Sequence, residues 1–216
     1  MKLAARIALI ALTLCLLAGC QKTYYSAMEK VGYHKREILV DRVEDARESN
    51  QEAKEQFASA LDRFKSVVAF DGGELEQKYE TLNAEYEASE EAAEDVRSRI
   101  ESVEDVAEAL FEEWQAEIDE YTSAKLRRQS QSQYRATKAS YEKLIKAMQS
   151  AADKMAPVLA AFKDQVLFLK HNLNAKAIAS LEGELASIRA DVDVLIKEME
   201  ASIAEADAFI ATMDTK

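Results

Sequence analysis

His34 and His171 are the only imidazoles in the chain and Cys15 and Cys20 its only thiols, so a metal site built on nitrogen or sulfur ligands has to start from these four. A structural zinc site needs four Cys or His ligands within bonding distance of one ion. If the chain is helical, as argued below, the two histidines fall near opposite ends of long elements, on the order of 50 Å apart by helical rise. They are therefore expected at helix ends or on the surface, with no metal. The 40 Asp and Glu offer acids and bases, but a catalytic carboxylate needs a pocket that perturbs it. The sequence has no phosphate-binding Gly loop, no nucleophile elbow and no HExxH. It reads as a non-enzyme without a cofactor, its carboxylates forming solvated faces. A formal charge of -12 also argues against nucleic acid, which is held by clustered Lys and Arg.

Cys20 differs from the other three because of what precedes it. Lys2 and Arg6 lead into an apolar run over 7–17, and Leu17-Ala18-Gly19-Cys20 follows. That run is too short to span a bilayer, so 1–19 is expected to be an export signal. The last four residues resemble a bacterial lipobox, whose Cys is acylated through its sulfur and becomes the mature N-terminus. The plainer alternative is an ordinary signal peptide with an incidental Cys. The lipobox implies attachment to a membrane through acylated Cys20. Gln21 stands where an Asp would hold a lipoprotein at the inner membrane, which implies the outer membrane of a Gram-negative envelope, facing the periplasm. With Cys15 lost and Cys20 acylated, no pair remains for a disulfide. Removing Lys2 and Arg6 shifts the formal charge from -12 to -14.

The elements that would carry these residues are helices. Five Gly and one Pro leave room for few turns, and the chain is rich in Ala, Glu and Leu. Alternating steps of four and three from Leu75 reach Tyr79, Leu82, Tyr86, Ser89, Ala93, Val96, Ile100, Val103, Ala107, Leu110, Trp114, Glu117 and Tyr121. This narrow apolar seam suits a partner helix alongside. Similar seams run from Leu39 to Val67, from Tyr141 to Leu173 and from Ile178 to Met213. Helices are expected at about 24–70, 74–121, 124–171 and 175–214. The seam keeps phase through Ser102 and through Pro157, which predicts no break at the first and a kink at the second. Thr122 and Ser123 are the expected turn and cap. Asn50, at a seam position, resembles the buried polar residue that fixes register; a residue reaching water in a loose layer is the other reading. The fold class is all-α: an elongated antiparallel four-helix bundle within 20–216, or coiled-coil hairpins that meet only in an oligomer.

Up-down order collects the candidate contact residues at two ends. Asp71, Gly72 and Gly73 with His171, Asn172 and Asn174 form the distal tip, the preferred place for a partner. Lys125, Arg127, Arg128, Arg135 and Lys138 form a basic patch beyond an acidic run from Glu101 to Glu120. The simpler reading of the patch is ion pairing with that run across an antiparallel contact; the sharper one is contact with anionic lipid heads. Leu167 and Phe168 need a second covering helix, or else form an exposed docking patch.

The stretches SVEDVAEALFEEW at 102–114 and FKDQVLFLKHNLNA at 162–175, set in these seams, resemble the bacterial lipoprotein family catalogued as domain of unknown function 2959. The resemblance extends over the mature chain and implies a lipid-anchored helical envelope protein, with no catalytic residues to carry over. The expected role is a coiled-coil scaffold or interaction module, with an envelope protein or a second copy as partner. The alternative is a chaperone-like binding module whose bundle opens at Tyr79, Tyr86, Trp114, Met148 and Met155 to hold an apolar client.

Overall fold

The computed structural model describes residues 34–69, 75–172 and 175–214, apart from the side chains of 175–180 and 214. They form four helices: α1 (Lys35–Val68), α2 (Leu75–Glu120), α3 (Ala124–His171) and α4 (Ala175–Asp214). The expected helical stretch over 24–33 and the Asp71-Gly72-Gly73 turn lie outside the described residues. Glu37 Oε2 accepts from the His34 backbone N–H at 3.5 Å where α1 begins. Ser123 caps α3, its Oγ accepting from the Leu126 N–H at 3.4 Å, which satisfies a donor the first turn leaves without a partner. α2 is unbroken through Ser102, whose hydroxyl bonds the Ser98 carbonyl at 2.9 Å within the helix. α3 is likewise continuous through Pro157.

Neighbouring helices are antiparallel, as contacts with falling partner numbers record. Between α1 and α2 these are Lys35 with Glu113 and Gln56 with Glu85; between α2 and α3, Trp114 with Ser130 and Glu104 with Gln149. α1 also packs along α4, through Arg47 with Asp207 and Lys54 with Glu200. The ring is thus closed within one chain, and α3 stands diagonally across the core from α1. Hairpins that join only in an oligomer are excluded.

Closure makes the buried stripe wider than a single seam. The seam residues Leu39, Val43, Phe57, Phe64, Val96, Val103, Met148, Met155, Leu195 and Phe209 are buried as expected. So are Ile38 and Leu61 on α1, Val106, Phe111 and Ile118 on α2, and Leu144, Ala151 and Val158 on α3. Each helix touches two neighbours, so its apolar face has to be broader than a two-stranded contact requires. Glu117 drops out of the α2 seam and is exposed, and Ile118 is buried instead. Met148 and Met155 are fully buried, while Tyr79, Tyr86 and Trp114 are half-buried at the border of the core.

Asn50 lies wholly inside at 0% exposure. Its Nδ2 donates to the Ala46 carbonyl at 3.3 Å and to Ser202 Oγ of α4 at 3.5 Å, and its Oδ1 has no partner. A polar pair across α1 and α4 penalises sliding, at a cost in stability. Asn50→Leu is expected to raise stability by about 1 kcal/mol in urea unfolding. A lower midpoint would show that the amide contributes net stability as well as register.

Candidate functional site

α2 and α3 meet near the 121–123 turn through rings. Phe111 lies 5.6 Å from Tyr134 and 5.5 Å from Tyr141 between centroids, and Trp114 lies 5.7 Å from Tyr134. The Trp114 indole N–H donates to Ser130 Oγ at 2.9 Å, which explains why a serine is buried in the poorly apolar start of α3. This aromatic contact leaves the charged groups on the outer flanks. Arg127 bonds the Tyr121 carbonyl at 2.6 Å, and the Lys138 ammonium sits 5.8 Å from the Tyr134 ring centre. Among the described residues, none of Lys125, Arg127, Arg128, Arg135 and Lys138 forms an ion pair. The expected pairing of the basic patch with the acidic run is therefore incorrect.

The whole of α3 repeats this arrangement. It carries ten Lys and Arg against only Glu142, Asp153 and Asp164, and all ten bases are exposed. None of the ten has an ion-pair partner among the described residues. α2, beside it, has seventeen acids against Lys78, Arg97 and Arg99. Interhelical ion pairs gather on the two flanks of α1: Lys35–Glu113 at 3.0 Å, Arg63–Glu85 and Arg99–Asp45 at 3.6 Å, Arg47–Asp207 at 3.2 Å and Lys54–Glu200 at 3.9 Å. Where α3 meets acids it uses neutral donors. Gln149 reaches Glu104 at 2.5 Å and Ser150 reaches Glu198 at 2.8 Å. Sequence reading singled out the five bases near the turn because they are consecutive in type. Counting charge helix by helix would have found Lys143, Lys146, Lys154, Lys163 and Lys170 as well.

Among the described residues α3 also carries three of the four large apolar side chains left exposed: Leu126 at 50%, Leu167 at 45% and Phe168 at 40%. A four-helix bundle was expected to cover the last two. It does not, because α2 and α4 approach α3 from two sides and these residues face the third. At the distal tip, Asn172 is committed to ending α3. Its N–H bonds the Leu169 carbonyl at 3.1 Å and its Nδ2 bonds the Phe168 carbonyl at 2.9 Å. His171 is exposed beside it, at the end of the bundle opposite to His34. Asp71, Gly72, Gly73, Asn174 and Cys20 lie outside the described residues.

Open clefts lie among the described residues. One, of about 290 Å³, is lined by Arg36, Trp114, Gln133, Thr137, Ser140 and Thr212, with Arg36 bonded to the Met213 carbonyl. Another, of about 270 Å³, lies between α1 and α2 around Asp45, Ser49, Asp95 and Arg99. Its carboxylates are held in place, since Arg99 reaches Asp95 at 3.3 Å and Ser49 donates to Asp95 at 2.7 Å.

The family model described as a protein of unknown function, DUF2959, matches residues 24–213. The chain belongs to this family. No curated protein and no solved structure matches it. The DUF2959 match covers the first three helices and α4 up to residue 213.

In this DUF2959 protein, burial holds the Tyr141 phenol neutral, and Glu104 and Glu108 nearby add to the effect; its pKa is pushed up from 10.0 to about 12. The stability this provides is present below pH 10. It is lost as pH rises toward about 12, because the unfolded phenol ionises first. Tyr141→Phe is expected to flatten the fall in unfolding midpoint across that window. An unchanged slope would mean that Tyr141 ionises in the folded protein as it does in the unfolded chain.

Proposed function

We propose that this DUF2959 protein is an outer-membrane lipoprotein, anchored through acylated Cys20 and facing the periplasm, whose bundle serves as a scaffold or interaction module of the cell envelope. The observation that carries this reading is a core whose middle is filled with fully buried side chains, with the unpaired charge and the exposed apolar groups placed outside it. Phe57, Met148, Met155, Leu195 and Met199 have no exposure, so the client-holding alternative would have to break the core that maintains the fold. The clefts open to solvent, one among the four helix ends near the 121–123 turn and one between α1 and α2. A surface with these features suits contact with other envelope components. Among the described residues no helix is long and apolar enough to cross a membrane, and the Leu17-Ala18-Gly19-Cys20 sequence supplies the means of attachment by lipid instead. A lipoprotein signal that adds more than one acyl chain gives stable anchoring, whereas a single chain binds only marginally.

Cys20→Ser is expected to move the protein from the membrane pellet to the soluble fraction after a high-salt wash. Continued retention would sink the lipid-anchor reading. Photo-crosslinkers at positions 71 and 172 in living cells are expected to give adducts with an envelope component, and recovery of unmodified monomer alone would count against the scaffold role.

A further inference from the structure

Charge is distributed in this protein with one helix set against the rest. α3 is strongly basic, whereas α2 and α4 on either side of it are strongly acidic. Opposite charges on packed neighbours would normally meet in ion pairs, yet here all ten α3 bases are exposed and none is ion-paired among the described residues. Arg128 and Arg135 are seven residues apart, as are Lys163 and Lys170, so each pair shares one outward ridge of the helix. The basic surface extends from Lys125 to Lys170, about 70 Å at helical rise.

We propose that the outward face of α3 docks lengthwise on an anionic phospholipid surface. This rests on the anchored reading above, which places the protein beside such a surface. A formal charge of -12 would seem to forbid the approach. Screening decides otherwise: the Debye length at physiological salt is about 8 Å, close to the 8–10 Å between packed helix axes. A bilayer touching the outer side of α3 therefore feels the α3 bases more than the acids of α2 and α4, which are set back on either side of it. Each base near an anionic leaflet contributes about a fivefold gain in binding, and the ten together oppose little local acid. Leu126 near one end and Leu167 with Phe168 near the other lie among these bases, and exposed apolar groups between cations are the composition of an interfacial surface. The fourteen-residue step from Cys20 to His34 spans at most about 50 Å, so the anchor leaves the rod room to lie down. The lipid contact expected of five bases at the turn thus becomes a surface along the whole helix, with the turn as one end of it.

The test uses the full chain reconstituted with vesicles of neutral phosphatidylcholine, or of phosphatidylcholine with about a third phosphatidylglycerol. Surface lysines are labelled with a membrane-impermeant amine reagent and read by mass spectrometry at about 50 mM and about 500 mM salt. At low salt on anionic vesicles, labelling of Lys143, Lys146, Lys163 and Lys170 should fall at least threefold. Lys65 on α1 and Lys197 on α4 should label unchanged, and high salt should restore the α3 lysines. Equal labelling of the α3 lysines on both vesicles would overturn the proposal. Protection on neutral vesicles that grows with protein concentration would also overturn it, and would assign the face to the acidic α2 of a second copy. Flotation on neutral vesicles at high salt reads the anchor separately. If the chain fails to float there but floats on anionic vesicles at low salt, the anchor reading fails and the α3 surface stands. The exposed triple variant Lys143→Gln, Lys146→Gln, Lys163→Gln should weaken salt-sensitive binding at least tenfold while leaving the unfolding midpoint in place. Unweakened binding by this variant would remove α3 from the contact.

Discussion

The structure depends on α1 lying against α4. Four amphipathic helices in a row bury their apolar stripes only if the first meets the last, because an open row leaves the outer stripe of each terminal helix in water. Small residues permit the approach: Ala46 and Ala53 on α1 and Ala206 on α4 are fully buried. Asn50 and Ser202 lie in the same contact and bond across it. An apolar seam alone tolerates sliding by a heptad, but a buried amide paired with one hydroxyl does not. The remaining strain falls on Asn50 Oδ1, which has no partner and is the local penalty for a defined register.

Closing the ring also determines where charge can be satisfied. Both flanks of α1 face acidic helices, and its Lys and Arg pair across them with Glu113, Glu85, Asp207 and Glu200. α3, diagonal to α1, joins its neighbours differently. Toward α2 it presents Tyr134, Tyr141 and Ser130, and toward α4 Ser150, so its cations are left outside the contacts. Exposed pairs on α1 contribute little each. Their main effect is orientation, since an α1 turned about its axis would bring its bases against solvent and its seam out of the core. Arg127 holds the Tyr121 carbonyl and Lys138 lies beside the Tyr134 ring, while the other bases of α3 are exposed and unpaired among the described residues.

Basic residues in the first turn of α3 and acidic residues in the last turn of α2 are both placed against the helix dipole. Lys125, Arg127 and Arg128 stand where Asp or Glu would be favoured, and Asp119 and Glu120 where Lys or Arg would be. A hairpin end chosen for stability alone would have these charges exchanged. The Ser123 cap, the Trp114–Ser130 bond and the bond from Arg127 to the Tyr121 carbonyl hold the turn.

The seams from Leu39 to Val67 and from Leu181 to Met213 were legible in the sequence because periodic burial is a property of each helix by itself. The same holds for the Ser123 cap and the continuity through Ser102, which depend on neighbours a few residues away. Burial of Val106, Phe111, Leu144 and Val158 was not legible. These residues lie beside the seam, and only a second neighbouring helix makes them core. Whether oppositely charged blocks meet was beyond the sequence too, since it depends on the rotation of α2 against α3, which Phe111, Trp114 and Tyr134 set by packing their rings between the helices. The sequence by itself determined that this chain forms four long amphipathic helices. Only the tertiary structure decided that they close within one molecule and leave the basic face of α3 unpaired, because closure and pairing depend on which faces meet across the core.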